Sequence, residues 1–380
     1  MRLGVLHDRY DPRRGGAEAH TDALLRRALA EGDEVVLAVL EGEGPPGSRT
    51  LAIEAPRRRP ARDRVLATVG ERRLREAGCD VVLAVRHVLA CDVYLPHGGL
   101  VADAVAASDA AHGGAGLLAR LARAWGGKQA FFLQAEQALL GARAGPRVVA
   151  LSRALAARIA QAYPAAAART VVIPNGVDTE RFAREPFAAQ GAALRERLGV
   201  GRAPLALLVA HRPRLKGLHT VLEAMASPGA RAFDPLLHLA VAGRGVERAS
   251  LALARRLGVA GRLHVLGELD DPRPAYAAAD LLVQPTWHDP CSLTTLEALA
   301  MSLPVVTTVH NGVSELMGRR GGIAVEAAGD PEALAVALAV LADPALRDFT
   351  AEDARYVAER NRLGTRLGQL LDLLRNAAHA

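Results

Sequence analysis

An α/β protein of two doubly wound domains facing a central cleft is what this sequence predicts, and three observations predict it. The chain has 380 residues, more than one ordinary core takes at roughly 150 residues per domain. Short apolar, β-branched runs alternate with helical stretches rich in Ala, Leu and Arg, the pattern of βαβ units and parallel sheets. The series restarts near residue 205, after a loop-like segment, IPNGVDTERF.

In chain order, strands are expected at residues 3–7, 34–40, 81–84, 148–151 and 171–173 of the first domain. In the second they are expected at 205–210, 237–242, 263–266, 281–284 and 305–307. Helices lie between most of them, for example at 18–31, 153–162, 219–225, 248–257 and 294–301. The domains are expected at 1–178 and 179–361, with a C-terminal helix at 362–380 packing back on the first. Sheets of this kind hold their ligands at the carboxyl ends of the strands, so the chemistry is sought in the loops that leave them.

Composition narrows the function classes. Half the residues are hydrophobic and 23% are charged, the balance of a soluble globular protein. The apolar runs are strand-sized, far from the roughly 20 residues that span a bilayer. The N-terminus, MRLGVLHDRY, enters a strand at once, without the layout of a signal peptide. Cys79, Cys91 and Cys291 fit neither a metal site nor a disulfide framework, so a reduced, cytoplasmic setting is the default. The net charge of +6 falls wholly in residues 1–200, which hold 28 Lys and Arg against 22 Asp and Glu. Arg57, Arg58, Arg59, Arg62 and Arg64 form the densest basic cluster. It reads as a solvated loop, or as a surface for an anionic membrane or acceptor. Nucleic acid is disfavoured, because no aromatic platforms accompany the cations.

The segment WHDPCSLTTLEALAMSLPVVTT, residues 287–308, holds Asp289 and Glu297 eight apart. Ser292 is an expected N-cap. The N–H groups of the following helix start, at Ser292, Leu293 and Thr294, would then seat a diphosphate. Glu297, about one turn in, could accept hydrogen bonds from the vicinal hydroxyls of a ribose. Asp289 would sit nearer a sugar beyond the phosphates. The alternative is a pair of carboxylates favoured by the helix dipole alone.

In VAHRPRLKGLHTVLEAM, residues 209–225, a strand leads through Arg212, Arg214 and Lys216 to Gly217 and a helix. Cations in such a loop can neutralise two phosphates. The chain has 45 Arg and only two Lys, Lys128 and Lys216. A Lys kept here suggests a task for a compact ammonium; a plain solvated loop is the alternative. In DPRRGGAEAH, Gly15 and Gly16 precede the first helix and could admit a diphosphate, or simply make a tight turn. AVAGRG places Gly243 in a G-x-G turn, but position 248 is Arg, which weighs against a nicotinamide-cofactor site. His97, in VYLPHGGL, could exchange protons near neutral pH or bond a sugar hydroxyl, or be a structural turn residue. No metal-ligand spacing appears in the sequence.

Together these motifs resemble glycosyltransferase family 4, and the resemblance spans nearly the whole chain. GGAE at 15–18, IPNGVD at 173–178, RLKG at 214–217, AVAGRG at 240–245, LGELDD at 266–271 and DPCSLTTLE at 289–297 match family motifs in order. Asp289 departs from the pattern, which has Glu at the first position of E-x7-E. The family's phosphate-binding Arg matches Arg212, with Arg214 second. The resemblance implies a GT-B fold, with an acceptor-binding N-terminal domain and a C-terminal domain for the nucleotide sugar. It implies a retaining, metal-independent hexosyltransferase without a cofactor, using a UDP-hexose and a glycan or glycolipid acceptor. DVYLPHGG and FFLQAEQAL are similar to the acceptor side of lipopolysaccharide core enzymes, implying envelope synthesis at the cytoplasmic face of the inner membrane. It further implies that Asp289, Lys216, Arg212 and His97 act at the reacting sugar and leaving diphosphate. A GT-B nucleotide-sugar epimerase, or an inactive sugar-nucleotide-binding protein, would share these motifs.

Overall fold

The computed structural model describes residues 1–12, 15–56, 61–113, 127–228 and 236–379. These form two compact units. The first holds Met1–Ala106, the described part of 115–175 and the C-terminal stretch from Gly364. The second holds Gly176–Leu363 with the short stretch from Ala107.

The first unit is built on seven parallel strands: β1 (Arg2–Arg9), β2 (Glu34–Glu41), β3 (Arg49–Ala52), β4 (Val81–Ala84), β5 (Val93–Tyr94), β6 (Arg147–Ala150) and β7 (Thr170–Val172). Their spatial order is β3-β2-β1-β4-β5-β6-β7. The second unit has six: β8 (Leu205–Val209), β9 (His238–Ala242), β10 (Leu263–Gly267), β11 (Leu281–Gln284), β12 (Val305–Thr308) and β13 (Gly322–Val325). These are also parallel, in the order β10-β9-β8-β11-β12-β13. The inner strands β4 (VVLA) and β8 (LALLV) carry near-continuous apolar runs because helices cover both faces. Leu205, Ala206, Leu207 and Leu208 are all buried.

Both units are the doubly wound domains expected. Three strands had no counterpart in the sequence pattern. β3 is an edge strand with half-exposed side chains, β5 has two residues, and β13 is an edge strand that opens on glycine. None is long enough to show a period. The C-terminal helix Leu363–Ala378 clusters with the first unit. It buries Leu367, Leu370, Leu371 and Leu374, and Arg375 reaches Glu31 and Asp33 at 2.8 Å each. No helix among the described residues is long and apolar enough to cross a membrane.

Candidate active site

In each sheet the strand order reverses once, at β1/β4 and at β8/β11. The loops that leave the two strands at such a point diverge and leave a crevice at their carboxyl ends. In the second unit those loops are residues 210–217 and 285–292, the two segments singled out for their cations and carboxylates.

Gly217 joins the two loops. Its φ is +89°, and a Cβ there would stand 2.3 Å from the Pro285 carbonyl oxygen, so only glycine fits both the conformation and the space. Beside it the Trp287 N–H donates to the Leu215 carbonyl at 3.0 Å. This stitching brings the Lys216 Nζ onto the Asp289 Oδ2 as a mostly buried ion pair. The Asp289 backbone is held in turn. Its N–H donates to the His310 carbonyl at 3.1 Å, and its carbonyl accepts from the Gly312 N–H at 2.9 Å.

Ser292 caps the helix Leu293–Ala300: its Oγ accepts from the Thr295 N–H at 3.3 Å. The Ser292 N–H is itself used, donating to Asn311 Oδ1 at 3.3 Å. Leu293 and Thr294 remain as the first-turn N–H groups with no protein acceptor among the described residues, the anion-seating groups of a helix start. A buried polar network fixes this end of the helix. Gln284, the last residue of β11, accepts from Ser292 Oγ at 2.8 Å and Thr295 Oγ1 at 2.9 Å, and donates to Thr294 Oγ1 at 3.1 Å. Asn311 donates to Thr295 Oγ1 at 2.9 Å and Thr307 Oγ1 at 3.0 Å.

Glu297 lies one turn further along the same helix and accepts from the Tyr276 hydroxyl at 2.8 Å. Burial pushes its carboxyl up to about 7, against the opposing pull of the Tyr276 hydrogen bond and the Arg181 charge. Arg212 is exposed at the end of β8, whereas Arg214 is half-buried and 3.8 Å from Glu247. Arg212 is thus the cation more open to a ligand. Gly243 follows β9 with φ +119°, and a Cβ there would stand 2.0 Å from the Ala210 carbonyl oxygen. Its glycine is required by the backbone packing of this loop.

In the first unit, Arg86 follows β4 and bonds Asp8 and Glu18, both at 2.8 Å. Gly15 caps the helix Gly16–Ala30 with an extended φ of 177°, a conformation open to any residue. His97 follows β5, its ring edge-on to His20 at 5.7 Å. Its Nε2 is buried without a hydrogen-bond partner among the described residues. Burial, with His20 and Arg86 nearby, holds the ring well below the usual histidine range. Near neutral pH the His97 ring is therefore held in its uncharged form. Of the basic cluster, Arg57, Arg58 and Arg59 lie outside the described residues; Arg62 pairs with Glu41 at 2.6 Å and Arg64 lies 5.6 Å from the centre of the Phe131 ring.

The structure thus gathers Lys216, Asp289, Ser292, Leu293, Thr294 and Glu297 around one crevice of the second unit, and sets Gly15, Gly16 and His97 at the corresponding end of the first sheet. Sequence reasoning missed Tyr276, Gln284, Asn311 and Arg86. Two of them left a signal: Gln284 is a polar residue closing an apolar strand run, and Tyr276 is one of only five tyrosines, set in an Ala-rich helix.

Two family models match the chain. Residues 14–181 match one described as Glycosyltransferase Family 4, and residues 203–343 match one described as Glycosyl transferases group 1. Over 154 residues the chain is 37% identical to a lipopolysaccharide core biosynthesis glycosyltransferase, LpsE, of Rhizobium meliloti, covering 40% of this chain and 43% of that protein. Over 195 residues it is 29% identical to the lipopolysaccharide glucosyltransferase WaaG of Escherichia coli, covering 50% of this chain and 52% of that protein. The chain thus spans about half the length of these curated relatives. A crystal structure of WaaG superposes with TM-score 0.82 at 23% identity, covering 98% of this chain and 99% of that one. Anabaena HepE in complex with UDP-glucose gives TM-score 0.72 at 19% identity, covering 99% of this chain and 100% of that one. At such identities the likeness is one of fold, and the fold is GT-B.

Proposed function

The chain belongs to glycosyltransferase family 4, and on that premise we propose that it moves a hexose from a UDP-sugar to a glycan or glycolipid of the cell envelope, with retention. The observation that carries the reading is the crevice at β8/β11. There Lys216 and Asp289 pair across two loops joined through Gly217, and the second loop leads into the helix that carries Glu297 and two start N–H groups with no acceptor among the described residues. A diphosphate needs cations and oriented donors, a ribose needs an acceptor for two hydroxyls, and a transferred sugar needs an anchor beside the phosphates. Each requirement has a residue here.

In this reading Arg212, Lys216 and the N–H groups of Leu293 and Thr294 neutralise the diphosphate. Charge grows on it as the bond from the sugar C1 to the phosphate oxygen breaks, and fixed donors stabilise that charge without reorganising. The acceptor hydroxyl forms the new bond at the same face of C1, and its proton passes to the departing phosphate oxygen. Asp289 anchors the sugar and, between turnovers, keeps Lys216 in place. The acceptor falls to the N-terminal domain, residues 1–178 with the C-terminal helix, where neutral His97 bonds sugar hydroxyls. The basic first half would favour an anionic membrane surface, so sedimentation with anionic vesicles and not with neutral ones is expected.

A thermal-shift screen of UDP-, GDP- and ADP-sugars tests the class and the donor together. A UDP-sugar should raise the melting temperature of the full chain, and Lys216→Ala should lose that shift. No shift with any nucleotide sugar would defeat the reading. Isomerisation of donor incubated without acceptor would favour an epimerase instead.

A further inference from the structure

Tyr276 is fully buried, and its hydroxyl lies within reach of two acceptors, Glu297 Oε2 at 2.8 Å and the Thr294 carbonyl at 3.3 Å. A phenol has one proton to give, so one acceptor takes it at a time. Phe182 meets the Tyr276 ring edge-on with centroids 6.2 Å apart, packing against the ring that carries this hydroxyl. Glu297 sits on the same helix as Leu293 and Thr294, so a ligand held by those N–H groups brings its next polar atoms toward this carboxyl.

We propose that Tyr276 is a positioning residue of this site: its hydroxyl orients the Glu297 carboxylate and favours its ionised form, so that both carboxylate oxygens are set to accept from a vicinal diol. The inference rests on the nucleotide-sugar reading, with the ribose as the diol. The geometry also accommodates the other protonation state. When Glu297 gains a proton, its O–H donates to the Tyr276 oxygen, and the phenolic proton turns to the Thr294 carbonyl. No polar atom of the pair is then left unpaired, but Glu297 has less accepting capacity for the diol. Affinity for the ligand should accordingly fall as pH drops through the Glu297 titration. Tyr276 and Arg181 are the titratable and charged groups that act on Glu297, and both favour its ionised form against burial.

The test is the affinity of the full chain for a nucleotide sugar between pH 5.5 and 9, in the unaltered protein, Tyr276→Phe and Glu297→Gln. Nucleotide sugars suit it because their diphosphates lack the second ionisation near ~6 of a phosphate monoester. The unaltered protein should weaken below about pH 7, following the Glu297 carboxyl. Tyr276→Phe should move that midpoint up by about one unit, the size of one hydrogen bond to a charged group. It should therefore bind about fivefold more weakly near pH 7, approaching tenfold below about pH 6, and nearly normally at pH 9. Glu297→Gln should flatten this part of the profile. A residue that only fills space would lower affinity equally at all pH values, so an unmoved midpoint in Tyr276→Phe with binding intact would overturn the role given to Tyr276. Absence of nucleotide-sugar binding by the unaltered protein at every pH would instead overturn the transferase reading, and with it the ribose as the ligand.

Discussion

At the scale of single residues, the Lys216–Asp289 pair sets two demands against each other. In the free protein Asp289 neutralises the ammonium that the diphosphate needs. Asp289→Asn removes the competitor and leaves Lys216 to the phosphates. Binding of a nucleoside diphosphate should tighten about fivefold, roughly 1 kcal/mol, the usual worth of a partly exposed pair, while sugar transfer falls at least tenfold for want of the sugar anchor. Calorimetry of UDP beside turnover measurements checks both; weaker UDP binding in this variant would show that Asp289 mainly positions Lys216. Glu297 carries a stability cost of the opposite kind from an ordinary paired carboxylate. Its carboxyl is raised to about 7 in the fold, above its value near 4.3 in an unfolded chain. The stability it contributes is thus present below about pH 4 and lost as pH rises through 7. Glu297→Gln should stabilise the protein at pH 8 by about 1–3 kcal/mol, and the gain should vanish by about pH 4.5; chemical denaturation at the two pH values checks it. Lys216 and Glu297 were legible in the sequence because unusual residue choice and spacing mark them. Tyr276 and Asn311 were not, because their roles lie in the hydrogen bonds they make to partners 18 to 21 and 16 residues away in sequence.

At the scale of elements, the site depends on two loops from strands distant in sequence but adjacent in the sheet. The parallel pairing of β8 with β11 puts Leu281 beside Ala206 and Leu282 beside Leu207, and the loops beyond then meet at Gly217 and Pro285. Gly217→Ala adds a Cβ at a positive φ, 2.3 Å from a carbonyl oxygen. It should cost about 2 kcal/mol or more in unfolding free energy. Nucleotide-sugar binding should also suffer, because Lys216 and the 285–292 loop can no longer lie together. Ala at Gly199, where φ is +65° but a Cβ meets nothing within 4 Å, should cost only about 1 kcal/mol and leave binding unchanged. Most strands were legible because buried parallel strands are apolar throughout. The short edge strands β3 and β13 and the two-residue β5 were not. Their pairing comes from the sheet they join rather than from any pattern of their own. The reversal of strand order at β8/β11 was likewise invisible in the sequence, yet it is what turns two separate motifs into one crevice.

At the scale of the whole molecule, the two units should answer acid differently. The first buries His7 and His20, 1% and 7% exposed, with both rings lowered to about 4 by burial. His87 is also lowered to about 4, and His97 is held well below the usual range. A histidine whose folded value lies below its unfolded one favours the fold while neutral. That advantage is present above the unfolded value near 6.5 and drains away as pH falls toward 4. Each of the three rings lowered to about 4 can contribute on the order of 2–3 kcal/mol across that window, and His97 acts in the same direction, so together they are comparable with the reserve of a marginally stable domain. In the second unit, His219, His238 and His264 shift the same way but are less buried, and Glu297 works against them over much of that range. Lowering the pH from 7 to 5 should therefore open the first unit while the second keeps its protection. Hydrogen exchange followed by peptide mapping separates them. Peptides from β1, β2, β4 and the helix Leu363–Ala378 should lose protection together, because that helix buries four leucines and anchors Arg375 in the first unit. Peptides from β8, β9, β11 and β12 should hold. His20→Leu keeps an apolar ring-sized space filled and removes one titrating group, so it should shift the first unit's opening to lower pH. Loss of protection in both units at one pH would mean that the histidines do not set the acid limit.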